Sequence, residues 1–117
     1  NKFGVTRYQF ADDTFNDSVE KVEMIYRISK RLPFKLEFGA YARLDLLTAH
    51  PETIDMIFDS GMRTTFFGIE SFHPEAAKAV GKAWNGKPQA KEFIKQLKLI
   101  YNLLIVLWII KFLKRRM

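Results

Sequence analysis

The chain has 117 residues, 48% of them hydrophobic and 15% aromatic, which suits one small domain or a piece of a larger one and excludes a disordered tail. It has no cysteine, so a disulfide framework, a thiol nucleophile and a thiolate-held zinc or iron–sulfur cluster within this sequence are excluded. Residues 1–77 carry 9 Lys and Arg against 12 Asp and Glu, whereas residues 78–117 carry 10 against 1, so the total of +6 divides into −3 and +9.

The opening Asn1-Lys2-Phe3-Gly4 has no basic stretch followed by an apolar one, so it is not a secretory leader. The absence of an initial Met reads as a cut, and the cysteine-free composition leads us to expect a cytoplasmic protein. A first strand is predicted over residues 7–11, ending at Asp12-Asp13. Asp17 and Glu20 then have the spacing of a capping box, opening a helix with a stripe of Val19, Val22, Ile25, Tyr26 and Ile28 that Pro33 ends. Residues 35–43 alternate, with Leu36, Phe38, Ala40 and Ala42 on one side, and predict a second strand with Arg43 at its carboxyl end. Pro51 suits the start of a helix through Ile54, Ile57 and Phe58, and Gly61 its left-handed cap.

Residues 63–69 predict a third strand that delivers Glu70 and Ser71. Pro74 opens a short helix closed by Gly81; residues 82–87 are a loop, and Pro88 opens a longer helix. On that helix Lys91, Lys95 and Lys98 share a face opposite Phe93, Ile94, Leu97, Ile100 and Tyr101, the pattern of a solvated amphipathic helix. The run from Leu103 to Ile110 is too short for a bilayer span, which needs roughly 20 residues. It reads as a buried parallel strand, or else as a continuation of the preceding helix, interfacial in character. Three βα units in series predict an α/β fold with a parallel sheet and right-handed crossovers.

In such sheets ligands bind beyond the carboxyl ends of the strands. The polar residues expected there are Asp12, Asp13, Tyr41, Arg43, Glu70 and Ser71. Asp12 and Asp13 read equally as ligands for a cation or a ribose and as turn chemistry. Arg43 could grip a carboxylate or phosphate, or pair structurally with Asp12, Asp13 or Glu70. Glu70 follows an apolar run, so partial desolvation demands a partner or a function. His50 and His73 flank prolines at helix starts and read as caps. No phosphate-binding glycine loop, zinc-protease motif or nucleophile elbow occurs.

Phe10-Ala11-Asp12-Asp13-Thr14-Phe15, Ala40-Tyr41-Ala42-Arg43-Leu44-Asp45, Phe67-Gly68-Ile69-Glu70-Ser71-Phe72 and Gly81-Lys82, in that order, resemble successive motifs of radical S-adenosylmethionine (SAM) enzymes, closest to the group that often carries a cobalamin-binding domain. The resemblance implies a partial, TIM-like barrel in which the three strands are the third to fifth and the apolar run stands where the sixth belongs. It divides the chain into a core of three βα units over residues 1–98 and an apolar segment with a basic tail over residues 99–117. It also implies a fragment: the missing N-terminal part of the parent chain would bring the CxxxCxxC loop and its [4Fe–4S] cluster. The parent would cleave SAM reductively to a 5′-deoxyadenosyl radical, with cobalamin a further cofactor of some relatives, and this chain alone would be inactive. By the same resemblance Glu70 contacts the SAM ribose with Ser71 beside it, Lys82 meets the SAM carboxylate, and Asp12 or Asp13 and Arg43 face SAM or substrate. The family's glycine-rich sixth-strand segment is absent, since no glycine follows Gly86, and adenine contacts are not carried over. The alternatives are a small module binding Mg²⁺ through the acidic pair, or a basic binder of membranes or nucleic acids; partners of those two kinds are not expected.

Overall fold

In the computed structural model, which describes residues 2–108, the apolar segments form one sheet of four parallel strands. These are β1 (Tyr8–Gln9), β2 (Phe38–Ala42), β3 (Met62–Gly68) and β4 (Leu104–Trp108), lying side by side in chain order. Between them run α1 (Val19–Arg31), α2 (Leu44–Ala49), α3 (Glu52–Ser60), α4 (Pro74–Ala79), a 3-10 turn (Ala83–Gly86) and α5 (Pro88–Tyr101). Parallel neighbours need a crossover at every step, and crossovers of one hand that always advance in one direction keep their helices on one face.

Burial agrees with that winding. On one face Ala40, Ala42, Thr65, Phe67 and Ile105 are buried and form a core with Leu44, Leu47, Ile57, Ile94 and Leu97 from the helices. On the other face Tyr41 is 43% exposed and Leu104 65% exposed. The α/β architecture with βα repeats is therefore as expected, with one face covered and one open.

The elements differ from the sequence reading in instructive places. The first strand shrinks to two residues. The first helix is capped by Ser18, whose Oγ accepts from the Lys21 amide at 3.2 Å, and not by Asp17, whose carboxylate lies 3.3 Å from Lys21 Nζ. An unanticipated helix, α2, follows Arg43 directly because Leu44 and Leu47, three apart, both bury against the sheet. Neither histidine caps through its ring: Ser71 Oγ accepts from the His73 amide at 3.0 Å, and it is the His50 carbonyl that receives the Thr53 amide, also at 3.0 Å. Left-handed Asn102 (φ 48°) ends α5, so the apolar run starts afresh as strand β4. The rest of that run and the basic tail, residues 109–117, lie outside the described residues.

One core group is out of place. Thr65 Oγ1 is buried without a hydrogen-bond partner among the described residues, beside an apolar gap of about 20 Å³ lined by Ala42, Leu47, Ile57 and Phe67. A gap with one polar atom is a poor water site. Thr65→Val, which keeps the shape and removes the orphaned hydroxyl, is expected to stabilise the fold by about 1 kcal/mol. A urea midpoint at or below that of the parent chain would contradict this.

Candidate functional site

The carboxyl ends of β2 and β3 carry most of the residues singled out from the sequence, and each end is shaped by a buried asparagine. At the end of β2, Asn16 Nδ2 donates to the Arg43 carbonyl at 3.0 Å and the Arg43 amide donates to Asn16 Oδ1 at 2.8 Å. The loop after β1 is thereby tied to β2, helped by the Phe15 amide donating to the Tyr41 carbonyl at 2.7 Å. At the end of β3, Asn85 Nδ2 donates to the carbonyls of Gly68 and Ile69, both at 3.3 Å. Neither asparagine was singled out from the sequence. A lone Asn in a loop looks like turn chemistry, and only the fold shows that both are buried.

Beyond Gly68 the backbone turns sharply. The Ile69 amide donates to the Phe67 carbonyl at 3.0 Å and the Ser71 amide to the Ile69 carbonyl at 2.7 Å, two successive three-residue turns. Glu70 sits at the centre of the second with φ 63°. Left-handed geometry is rare for a side chain with no local hydrogen-bonding reach and persists only where the surroundings impose it, commonly at functional sites. The imposing contacts here are those turns and the Asn85 clamp.

Lys82 arrives from the far end of α4. Gly81 (φ 72°) reverses the chain after the helix, and the Lys82 amide then donates to the Ala77 carbonyl at 2.7 Å. The result brings both charged ends over one α-carbon. A methyl group on Gly68 would lie 3.3 Å from Glu70 Oε1 and 3.9 Å from Lys82 Nζ. Both side chains are half-buried, and among the described residues neither has a hydrogen bond or ion pair. An unpaired carboxylate and an unpaired ammonium facing one glycine floor can hold a ligand carrying both signs of charge, or hydroxyls beside an anion.

The other sequence-derived residues are differently placed. Asp12 accepts from the Thr14 amide at 3.1 Å and pairs with Lys21, whose hydrogen bond and charge, with that amide, hold the Asp12 carboxyl below its ordinary range. Asp13 is exposed on the same loop. Arg43 pairs with Asp45 by two hydrogen bonds, and not with Asp12, Asp13 or Glu70; Asp45, two residues on at the α2 start, is within easy reach. Burial pushes the Asp45 carboxyl up, but the Arg43 hydrogen bond and charge, with the amides of Asp45 and Leu46, outweigh it and leave it lowered. Ser71 Oγ accepts from the His73 amide.

A shallow depression of about 400 Å³ lies at the opposite, amino end of the strands, lined by Arg7, Gln9, Glu37, Arg63 and Thr64. Its Arg63 is already engaged, donating to the Phe58 and Met62 carbonyls at 2.9 Å and stacking 4.4 Å over the Phe58 ring. The carboxyl end, where strained Glu70 meets Lys82, is the better site.

Asn85→Ala should cost about 1–3 kcal/mol, because it strips two strand-end carbonyls of their buried donor. It should also speed hydrogen exchange at the Glu70 and Ser71 amides. Unchanged exchange there would show that Asn85 does not hold the turn. Compared with models of protein families and with curated proteins, the chain matches no family model and no curated protein.

Proposed function

We propose that the carboxyl rim of this sheet is the SAM-facing part of a radical SAM enzyme. The observation that carries the reading is the meeting of unpaired Glu70 and Lys82 over Gly68. Strands adjacent in chain order, with one covered and one open face, support the partial barrel over a doubly wound sheet, whose strand order reverses midway.

The residues present fit SAM and do not fit its cluster. Gly68 leaves a floor without a side chain, Lys82 offers an ammonium to the methionyl carboxylate, and Glu70 offers acceptor oxygens to ribose hydroxyls. No cysteine exists to hold a [4Fe–4S] cluster, and among the described residues no three His, Asp or Glu side chains gather as metal ligands. The chemistry SAM supplies is a carbon–sulfur bond open to reductive cleavage; what this chain contributes is its grip and orientation. The acidic pair suits a Mg²⁺ site less well, since Asp12 is engaged by Lys21 and the Thr14 amide.

Titrating SAM into isotope-labelled chain should move the amide resonances of Gly68, Glu70, Ser71 and Lys82. Glu70→Gln and Lys82→Met should each weaken that binding by about tenfold or more, the ordinary effect of losing a charged hydrogen bond. SAM that moves no rim resonance at millimolar concentration, or binds both variants as well as the parent, would overturn the reading. Iron and sulfide added to this chain should give no cluster absorption.

A further inference from the structure

The lysine periodicity of α5 alone reads as a solvated face, but the structure leaves one large apolar side chain, Leu99, exposed beside it and a second, Ile100, exposed further round the end of the helix. Lys87, Lys91, Lys95 and Lys98 are exposed, one on the cap and three along the helix. Leu99 is 84% exposed and Ile100 70% exposed at the end of the same helix, while Ala90, Ile94 and Leu97 are buried against the core. Lys95 and Leu99, four apart, are neighbours on the helix surface. Glu92, 4.0 Å from Lys95, is the one acidic residue on α5, and Lys91 leans 4.9 Å over the Phe72 ring. Residues 78–117 carry 10 basic residues against 1 acidic, and the sequence past residue 108 continues in the same style with Ile109-Ile110-Lys111-Phe112-Leu113-Lys114-Arg115-Arg116.

We propose that the exposed face of α5 docks this chain on an anionic lipid surface. Charge complementarity supplies the long-range attraction, and Leu99 next to the lysines, with Ile100 at the far edge of the exposed arc, supplies apolar surface that can enter the headgroup layer. A nucleic acid would satisfy the lysines and leave both aliphatic side chains in water, which is why lipid is favoured. No described helix is long and apolar enough to cross a membrane, so the association is with the surface. This inference is independent of the SAM reading.

The test is sedimentation with vesicles of two parts phosphatidylcholine to one part phosphatidylserine, against pure phosphatidylcholine, at low and high potassium chloride. Binding should require phosphatidylserine and fall steeply with salt. The triple variant Lys91→Ala, Lys95→Ala, Lys98→Ala should weaken it on the order of 100-fold. Leu99→Ser with Ile100→Ser should weaken it by about tenfold or more. All these positions are exposed, so folding should survive, and circular dichroism checks it; Lys95→Glu with Lys98→Glu provides a second charge test. Absence of binding, equal binding to pure phosphatidylcholine, or insensitivity to salt would overturn the proposal. So would duplex DNA binding at least as tightly and indifferent to the serine pair, or light scattering in which that pair dissolves a self-association while leaving vesicle binding intact.

Discussion

Phe15→Ala should remove about 3–5 kcal/mol of stability, the range for truncating a fully buried Phe, which is a large share of the 5–15 kcal/mol that holds a domain of roughly this size together. Phe15 belongs to no helix or strand, yet it is 0% exposed. Its ring packs edge-on to Phe10 at 5.2 Å and lies 5.3 Å from Phe38, with Phe10 and Phe38 4.7 Å apart. Three rings thus close the sheet where its edge strand is only two residues long. The loss reaches further than the cavity, because the Phe15 amide bonds Tyr41 and the next residue, Asn16, grips Arg43. Urea unfolding followed by circular dichroism gives the number. Phe15→Leu, which keeps most of the volume, should lose less than half as much; a loss below about 1 kcal/mol for alanine would mean that the three rings do not form this core.

Phe15 also marks where sequence reading stops. The strands and longer helices could be read because period two and period 3.6 are local properties: Ala40 and Ala42 inward with Tyr41 outward, Ile94 and Leu97 inward with the lysines outward. The buried apolar loop residue obeys no period, since one of the partners that bury it, Phe10, lies just past β1 and the other, Phe38, opens β2. The same holds for α2, whose six residues are too few to show a stripe and whose formation rests on burial against the sheet.

At the rim, the presence of polar residues was legible and their employment was not. A residue at a strand end can be recognised from the run before it, which placed Glu70 and Arg43 correctly at the ends of β3 and β2. Which carboxylate Arg43 pairs with depends on α2, whose start carries Asp45, and a helix of six residues gives no pattern from which that partner can be read. The left-handed backbone of Glu70 had no sequence signal, because glycine, the usual occupant of such a position, is absent from it. The clamp on the preceding carbonyls explains how a glutamate is kept there, and it comes from Asn85, 15 residues further along the chain.

Gly61→Ala joins these two lessons and should be the most damaging single methyl that can be added to this chain's turns. The left-handed cap after α3 was legible from Gly61 alone, and its φ of 116° is outside the range an alanine accepts without strain. What no local reading reveals is the second restraint. A Cβ at Gly61 would fall 1.9 Å from the Leu36 carbonyl oxygen and 2.7 Å from its carbon, both backbone atoms that cannot rotate away. The Gly61 carbonyl meanwhile accepts the Phe38 amide at 3.0 Å, so the clash can be relieved only by parting β2 from the start of β3. Strain of about 1–2 kcal/mol from the backbone and about 1–3 kcal/mol from forced displacement add to a loss of roughly 2–5 kcal/mol. Gly81→Ala separates the two contributions: its φ is 72°, but nothing lies within 4 Å of the added methyl. It should lose only the backbone share, about 1–2 kcal/mol. Paired urea titrations in which the two variants lose equal stability would mean that the segment leading into β2 yields freely at Leu36, and that its contact with the end of α3 does not fix the strand order on which the rim is built.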